Sequence, residues 1–261
     1  MKKIFFLIKG YKFDLLTASF ALGLYYISFR FANDPKTILL LSFSITLISV
    51  ISIVTLRLKD KDFYFIGLTN PHDKDDWIGR GIFDYRRTNK GFLITESEPG
   101  YIFSKTLSWN DYKYEFDFKI LNDCLGVVVR AANLSDYIMF QIRPYGIRPH
   151  IRVNGGWAKW EAKESGLEFA QNLSLDNWYK CCVTCEKDII NIQIWEKDNS
   201  IFQRSWSIPH ERFGFPFPQK DDDPTKTTII HFPVNLDYGT IGFRNAGNEK
   251  ALVKNVLVEK V

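Results

Sequence analysis

Histidine and cysteine, the side chains that most often carry nucleophilic and metal chemistry, are scarce in this sequence. Its 261 residues include 4 of each. No histidine has a serine, cysteine or aspartate partner at a motif spacing, so we predict no catalytic residue. Three cysteines fall within CCVTC at 181–185, and a lone Cys-x-x-Cys lacks the second ligand pair of a zinc site. We therefore predict no metal and no cofactor, and expect these cysteines to be small buried residues of a strand.

A large excess of one charge is also absent. The sequence has 34 lysines and arginines and 30 acidic residues, so its net charge is +4. So small a charge gives no reason to expect a nucleic-acid polymer as partner. Most of this excess lies beside two apolar runs near the N-terminus. Basic side chains in such positions suit the anionic head groups of a lipid bilayer.

The two apolar runs predict a transmembrane helical hairpin in residues 1–58. Residues 38–56, ILLLSFSITLISVISIVTL, carry no charge, and residues 15–29 form a second apolar run before them. A helix rises about 1.5 Å per residue, so each run crosses most of a ~30 Å hydrocarbon core. We place the spans at about 14–31 and 38–56. A cleaved signal peptide is the first alternative, but no small-residue cleavage site ends the first run. Two buried core helices are the second, but neither run has polar residues at helical spacing.

Basic residues flank the outer ends of this predicted hairpin. Lys2, Lys3, Lys9 and Lys12 precede the first span, and Arg57, Lys59 and Lys61 follow the second. The connecting loop has only Arg30 and Lys36. Lysine and arginine near a span are retained on the cytoplasmic side, so we predict both termini, and the domain that follows, in the cytoplasm. Serine and threonine within the second span favour helix association, and hence a homo-oligomer through the hairpin.

After a charged linker at 59–76, residues 77–261 show alternating apolar and polar positions between turn residues, which predicts an all-β domain. No helical periodicity is visible there. The predicted strands are KYEFDFKI from 113, GVVVRA from 126, DYIMFQIR from 136, RPHIRVNG from 148, WYKCCVTCE from 178, IINIQIWEK from 189, YGTIGFRNAG from 238 and ALVKNVLVEKV from 251. So many strands predict one antiparallel sandwich. The proline-rich insertion at 209–233 is expected to border a binding site.

The order and punctuation of these segments resemble a known superfamily. The residues that carry the resemblance are GYIFSKTLSWNDYKYEFDFKI, GVVVRAANLSDYIMFQI, DNWYKCCVTCEKDIINIQIWEK and YGTIGFRNAGNEKALVKNVLVEKV. They are similar to the concanavalin A-like lectin and glucanase jelly roll, and within it to bacterial laminin-G-like and 3-keto-disaccharide hydrolase-like domains. The resemblance implies a jelly-roll β-sandwich of two curved antiparallel sheets, with any ligand on the concave sheet. Such punctuation is informative about fold and poorly informative about activity.

Glucanases of that superfamily carry a Glu-x-Asp-x-x-Glu arrangement along one strand, which places two carboxylates on either side of the scissile bond. Here Glu115 and Asp117 share a strand face, but Ile120 occupies the third acidic position. The catalytic motif is incomplete, so the resemblance does not extend to an enzyme. Asp73, Asp75 and Asp76 lack calcium-loop spacing.

Alternation predicts where a ligand binds. Ile138, Phe140 and Ile142 point to one side of their strand, so their neighbours point to the other. If adjacent strands align these polar faces, one sheet presents aromatic rings together with guanidinium and amide groups. The predicted ligand-binding residues are Arg130, Tyr137, Gln141, Arg143, His150, Arg152, Trp157 and Trp160. Aromatic rings and amides suit a glycan, whereas several guanidiniums suit a phosphate or carboxylate. A merely solvated sheet face is the remaining interpretation.

Three functions are compatible with these patterns. The first is a membrane-anchored, non-catalytic protein that binds a glycan or another polar ligand. The second is a cytosolic sensor of an anionic, nucleotide-like ligand coupled to a membrane effector hairpin, a layout that resembles membrane effectors of antiphage defence. The third is a structural or assembly protein with a protein partner.

Overall fold

The computed structural model describes residues 62–158, 167–208, 213–218, 227–232 and 235–261. For residue 167 and for 213–218 and 227–232 it describes the backbone alone. The predicted hairpin at 1–58 lies outside these ranges, as does Trp160. Within the ranges, no helix combines the length and the apolar character that crossing a bilayer requires.

Eighteen strands and two short 3-10 helices make up the described chain. The 3-10 helices are Pro71–Lys74 and Ser104–Thr106. The strands are β1 (Phe63–Ile66), β2 (Trp77–Gly79), β3 (Ile82–Arg86), β4 (Gly91–Thr95), β5 (Ser97–Phe103), β6 (Tyr112–Asn122), β7 (Leu125–Ala131), β8 (Tyr137–Arg143), β9 (Gly146–Val153), β10 (Gly156–Ala158), β11 (Leu167–Glu168), β12 (Tyr179–Glu186), β13 (Ile189–Glu196), β14 (Asn199–Ser207), β15 (Phe213–Pro218), β16 (Thr227–Phe232), β17 (Thr240–Asn245) and β18 (Lys250–Lys260). All eight predicted strand segments are found, as β6 to β9, β12, β13, β17 and β18.

The strands form two eight-stranded sheets in which every pairing is antiparallel. Sheet A has the order β14-β13-β12-β6-β18-β4-β3, and β1 also pairs with β18. Sheet B has the order β10-β9-β8-β7-β17-β5-β2, and β11 also pairs with β9. Strands β15 and β16, within the proline-rich insertion, pair only with each other. The predicted all-β antiparallel sandwich is confirmed.

The core lies between the two sheets and is rich in aromatic rings. Phe116 of sheet A meets Phe243 of sheet B edge to face, with ring centroids 5.2 Å apart. Trp77 stacks on the other side of Phe243 at 5.6 Å. Truncating one such ring to alanine costs about 3–5 kcal/mol. The expectation of buried strand cysteines is also confirmed for CCVTC, which lies in β12 with Cys181 and Cys185 fully buried in this core.

Sheet B has a second, smaller apolar cluster on the face turned away from the core. Its buried members are Ile102, Val128, Ala131, Tyr137 and Met139. Leu107 and Leu134 pack over it. One part of this outer face is therefore covered, and the polar part beyond it is the part that a ligand can reach.

The segment predicted as a charged linker, 59–76, includes ordered structure from Asp62 onward. Strand β1 pairs with β18, and Asn70 caps the first 3-10 helix through the amide of His72, at 3.0 Å. The sandwich domain therefore begins before Trp77 and includes β1. Tyr64 of β1 meets Phe103 edge to face at 5.3 Å.

Candidate functional site

The polar part of the outer face of sheet B is built mainly from β8 and β9. Cross-strand pairing sets Tyr137 opposite Arg152 and Gln141 opposite Arg148. Because side chains alternate along a strand, these four lie on the same side, away from the core. Trp157 of β10 extends the row, since it pairs with Arg152 from the other edge. We call this surface the β8–β9 face.

Six of the eight predicted ligand-binding residues come together on the β8–β9 face. They are Tyr137, Gln141, Arg143, His150, Arg152 and Trp157. Trp160 lies in the undescribed stretch 159–166.

Arg130, the remaining predicted residue, is not on this face. Its backbone adopts the left-handed conformation, with φ of 52°, and the pairing of β7 with β17 shifts register beside it. This β-bulge turns the side chain toward sheet A. The guanidinium is fully buried, donates to the carbonyls of Asp237 and Lys187, and lies 3.6 Å from the Asp111 carboxylate. Simple alternation fails here because a bulge adds one residue to the count.

Trp157 is an exposed aromatic ring of the β8–β9 face, with 38% of its surface accessible. Two guanidiniums lie beside it: Arg152 Cζ is 5.3 Å and Arg244 Cζ 5.1 Å from the ring centroid. Tyr137 and His150 meet the same ring edge to face, at 6.1 Å and 5.5 Å. The indole is therefore fixed in place by contacts on several sides while a part of it stays open to solvent.

One carboxylate, Glu98 of β5, holds the two arginines. Arg152 and Arg244 each donate to a different oxygen of Glu98, and the Arg244 Nε bond is 2.8 Å long. Burial opposes ionisation of Glu98, but the hydrogen bonds and charges of the two arginines outweigh it, so the pKa of the carboxyl is lowered. Glu98 is thus an anion at neutral pH and a poor proton donor.

Gln141 links the face to the turn that follows β17. Its Nε2 donates to Glu249 Oε1 at 2.9 Å, and its Oε1 accepts from Arg143 Nε at 3.1 Å. Arg143 also donates to the Tyr145 hydroxyl at 2.7 Å. Glu249 completes the row, because its other oxygen lies 3.6 Å from Arg244 NH1. The amide and both carboxylates are engaged before any ligand arrives.

His150 lies between Arg148 and Arg152 on β9. Burial, and then the positive charges of Arg148, Arg244 and Arg143, together lower its pKa to about 4. The imidazole is therefore neutral at pH 7. Its Nε2 is buried and has no hydrogen-bond partner among the described residues, and neither has Nε of Arg152.

The residues that sequence reasoning missed are mainly Glu98 and Glu249. Glu98 lies in ESEPG, where proline and glycine suggest a turn, so β5 went unpredicted. Arg244 is also outside the predicted set, although it lies in the predicted strand YGTIGFRNAG. One signal was available: a face with several arginines needs carboxylates nearby.

The two acidic residues examined for catalysis lie on the other sheet. Glu115 is held by Lys113 at 2.6 Å and Lys180 at 2.8 Å, and Asp117 accepts from Asn255 at 2.7 Å. Burial raises the pKa of Glu115, yet the two lysines lower it by more. An ionised, doubly paired carboxylate cannot serve as the general acid of a glycosidase at neutral pH.

Two further places have some of the features of a site. Asp123, Cys124 and Glu249 bring their ligand atoms within 4.8 Å of one another, but burial raises the pKa of the Cys124 thiol, and a protonated thiol is a poor metal ligand. On the outer face of sheet A, a groove of about 620 Å³ is lined by Asp111, Thr184, Glu186, Lys187, Asp188, Ile189, Asn191, Gln193, Gln203, Ser205 and Val261. That lining has no aromatic ring.

Comparison of the sequence with protein-family models and with curated proteins gave no match. Solved structures with a similar arrangement of strands include a carbohydrate-binding module, CBM66, from Bacillus subtilis, at 13% identity and a TM-score of 0.39, over 77% of this chain and 98% of that one. A galectin-like protein of unknown function from Bacillus subtilis has 15% identity and a TM-score of 0.47, over 77% and 97%. The exoplasmic domain of VIP36, solved with Ca²⁺ and Man3GlcNAc, has 9% identity and a TM-score of 0.46, over 76% and 90%.

Proposed function

We propose that this protein is a membrane-anchored, non-catalytic binding protein whose sandwich binds a glycan on the β8–β9 face. The observation that carries the proposal is the partly exposed ring of Trp157. The guanidiniums of Arg152 and Arg244 lie beside this ring, and both donate to the carboxylate of Glu98. The proposal includes the concanavalin A-like assignment made from the sequence resemblance.

The chemistry of the face suits a sugar. One side of a pyranose ring is made of C–H groups and packs on an aromatic ring, while its hydroxyls need donors and acceptors around that ring. Trp157 supplies the ring. Glu98, Arg152 and Arg244 fix donors and acceptors beside it, so little conformational entropy is lost on binding.

Binding is favoured over catalysis by the state of the carboxylates. A glycosidase needs one protonated carboxyl near the scissile oxygen and a second carboxylate facing the sugar. Glu98 and Glu249 both contact Arg244, and the pKa of Glu98 is lowered. Both acids position guanidiniums, and the ionised Glu98 has no proton to give.

Anchoring is supported by the sequence alone. The apolar runs at 15–29 and 38–56, with basic residues on their outer flanks, favour a hairpin whose two ends face the cytoplasm. In this proposal the bilayer is one partner, the hairpin supports self-association, and the sandwich binds a glycan presented on the cytoplasmic side.

A glycan array probed with the full-length protein in detergent tests the proposal. We expect binding to a defined group of glycans, and a loss of at least about tenfold, or 1.4 kcal/mol, when Trp157 is replaced by alanine. Trp195→Ala is the matched control, because Trp195 is a half-buried tryptophan on the other sheet. Binding that survives Trp157→Ala, or that Trp195→Ala weakens equally, would refute the assignment of the site.

A second function is favoured by the number of arginines. Arg143, Arg148, Arg152 and Arg244 lie on or beside one face, and guanidiniums bind phosphate and carboxylate well. A cytosolic sensor of a nucleotide-like anion is therefore the alternative. Thermal shift of the full-length protein with nucleotides tests it, since a ligand at 100 times its Kd stabilises by about 2.7 kcal/mol.

A further inference from the structure

Charge is unevenly balanced along the β8–β9 face. Near Trp157, the two carboxylates of Glu98 and Glu249 balance the two guanidiniums of Arg152 and Arg244. At the opposite end, Arg143 donates to the neutral oxygens of Gln141 and Tyr145, at 3.1 Å and 2.7 Å. Arg148 is exposed and has no ion pair within the described part of the chain. This end therefore has two guanidiniums without a directly bound carboxylate.

The imidazole between these two ends reports the local field. His150 lies on the same side of β9 as Arg148 and Arg152, and next to Trp157 with ring centroids 5.5 Å apart. Its pKa is lowered first by burial and then by Arg148, Arg244 and Arg143. The same charges that repel a proton from His150 attract an anion.

We propose that the glycan bound by this protein is acidic, with a sugar ring on Trp157 and a carboxylate at Arg148 and Arg143. This inference rests on the proposed glycan-binding function. Arg148 is four residues from Arg152 along β9, which is roughly 13 Å at the strand rise of about 3.3 Å per residue. An oligosaccharide spans that distance and a single sugar does not, so an oligomer of uronic acids is the expected ligand class.

Calorimetry with the full-length protein in detergent tests the inference. The probes are trimers of galacturonate, glucuronate and mannuronate, each compared with its own carboxyl-reduced, neutral counterpart. We expect at least one acidic trimer to bind about tenfold or more tightly than its neutral partner, and this preference to shrink as salt is added.

Arg148→Ala should remove most of that preference, because it should lower the affinity for the acidic trimer much more than the affinity for the neutral trimer. Arg87→Ala is the matched control, because Arg87 is an exposed arginine of the β3–β4 turn. Equal affinities for an acidic trimer and its neutral partner would overturn the inference and leave glycan binding intact. Failure of every trimer to bind would overturn the inference, whereas the proposed function fails only if the glycan array also shows no binding. Tighter binding of inorganic phosphate or a nucleotide at the same arginines would overturn both in favour of the anion sensor.

Discussion

Replacing Arg130 with methionine should destabilise the sandwich strongly without touching the ligand face. The guanidinium is fully buried and supplies hydrogen bonds to the carbonyls of Asp237 and Lys187. Both hydrogen bonds are part-buried and have a charged donor, and such a bond contributes about 1.5–3 kcal/mol, so the loss of two costs about 3–6 kcal/mol. The ion pair with Asp111 adds little, because that carboxylate is 41% exposed and its attraction is screened. We expect a loss of about 3 kcal/mol in the free energy of unfolding.

Urea unfolding of the full-length protein in detergent, followed by tryptophan fluorescence, measures this loss. Arg130→Lys keeps the charge but replaces the planar guanidinium by an ammonium group. Its free energy of unfolding should therefore lie between those of the wild type and Arg130→Met. Arg148→Ala is the exposed control and should change stability by less than about 0.5 kcal/mol. If Arg130→Met unfolded within about 1 kcal/mol of the wild type, the bulge would not depend on this side chain and the reasoning would be wrong.

Three further predictions concern pH, backbone strain and membrane side. The pKa of His150 is about 4 in the fold and near 6.5 in the unfolded chain, so the unfolded chain binds more protons between these pH values. The free energy of unfolding should therefore fall by up to about 3 kcal/mol as the pH drops from 6.5 to 4. The urea midpoint of His150→Gln should vary less with pH than that of the wild type, and an equal variation would contradict this. Gly239→Ala should lower the free energy of unfolding by at least about 2 kcal/mol, because φ is 137° and a Cβ would lie 2.5 Å from the Arg130 carbonyl carbon. Gly247→Ala is the control and should cost about 1 kcal/mol, because a Cβ there would have no atom within 4 Å. Equal decreases in melting temperature for the two variants would contradict this prediction. The four native cysteines are buried, so Asn199→Cys should react with an impermeant maleimide only after cells are lysed, and labelling of intact cells would place the sandwich outside.

The strands that could be predicted from the sequence are those with one buried and one exposed face. β6 shows the pattern most clearly, with every second side chain buried from Tyr112 to Ile120. β5 escaped prediction because Pro99 and Gly100 interrupt it, and both are turn residues in most contexts. β14 was missed since its exposed, mostly polar positions give no alternation of apolar residues.

The candidate face was accessible to the same reasoning only in part. Alternation along β8 and β9 placed Tyr137, Gln141 and Arg152 on one side, because regular pairing preserves the period of two. It misplaced Arg130, where the bulge reverses the side-chain direction. It could not find Glu98, which reaches its two arginines from a strand 54 and 146 residues away in sequence. Contacts between strands distant in sequence depend on topology, which local periodicity does not encode.

The pairing of β1 with β18 has a mechanical consequence. Phe63 lies opposite Glu259, and the amide of Lys260 donates to the carbonyl of Asp62 at 2.7 Å, so residues 62 and 261 leave the sandwich side by side. In an antiparallel pair the hydrogen bonds run across the strands. Tension applied between these two positions would break those hydrogen bonds one after another, starting at the end where the force acts. The β1–β18 pair should therefore yield at a lower force than strands that must slide past each other, and it should be the first part of the sandwich to open under load.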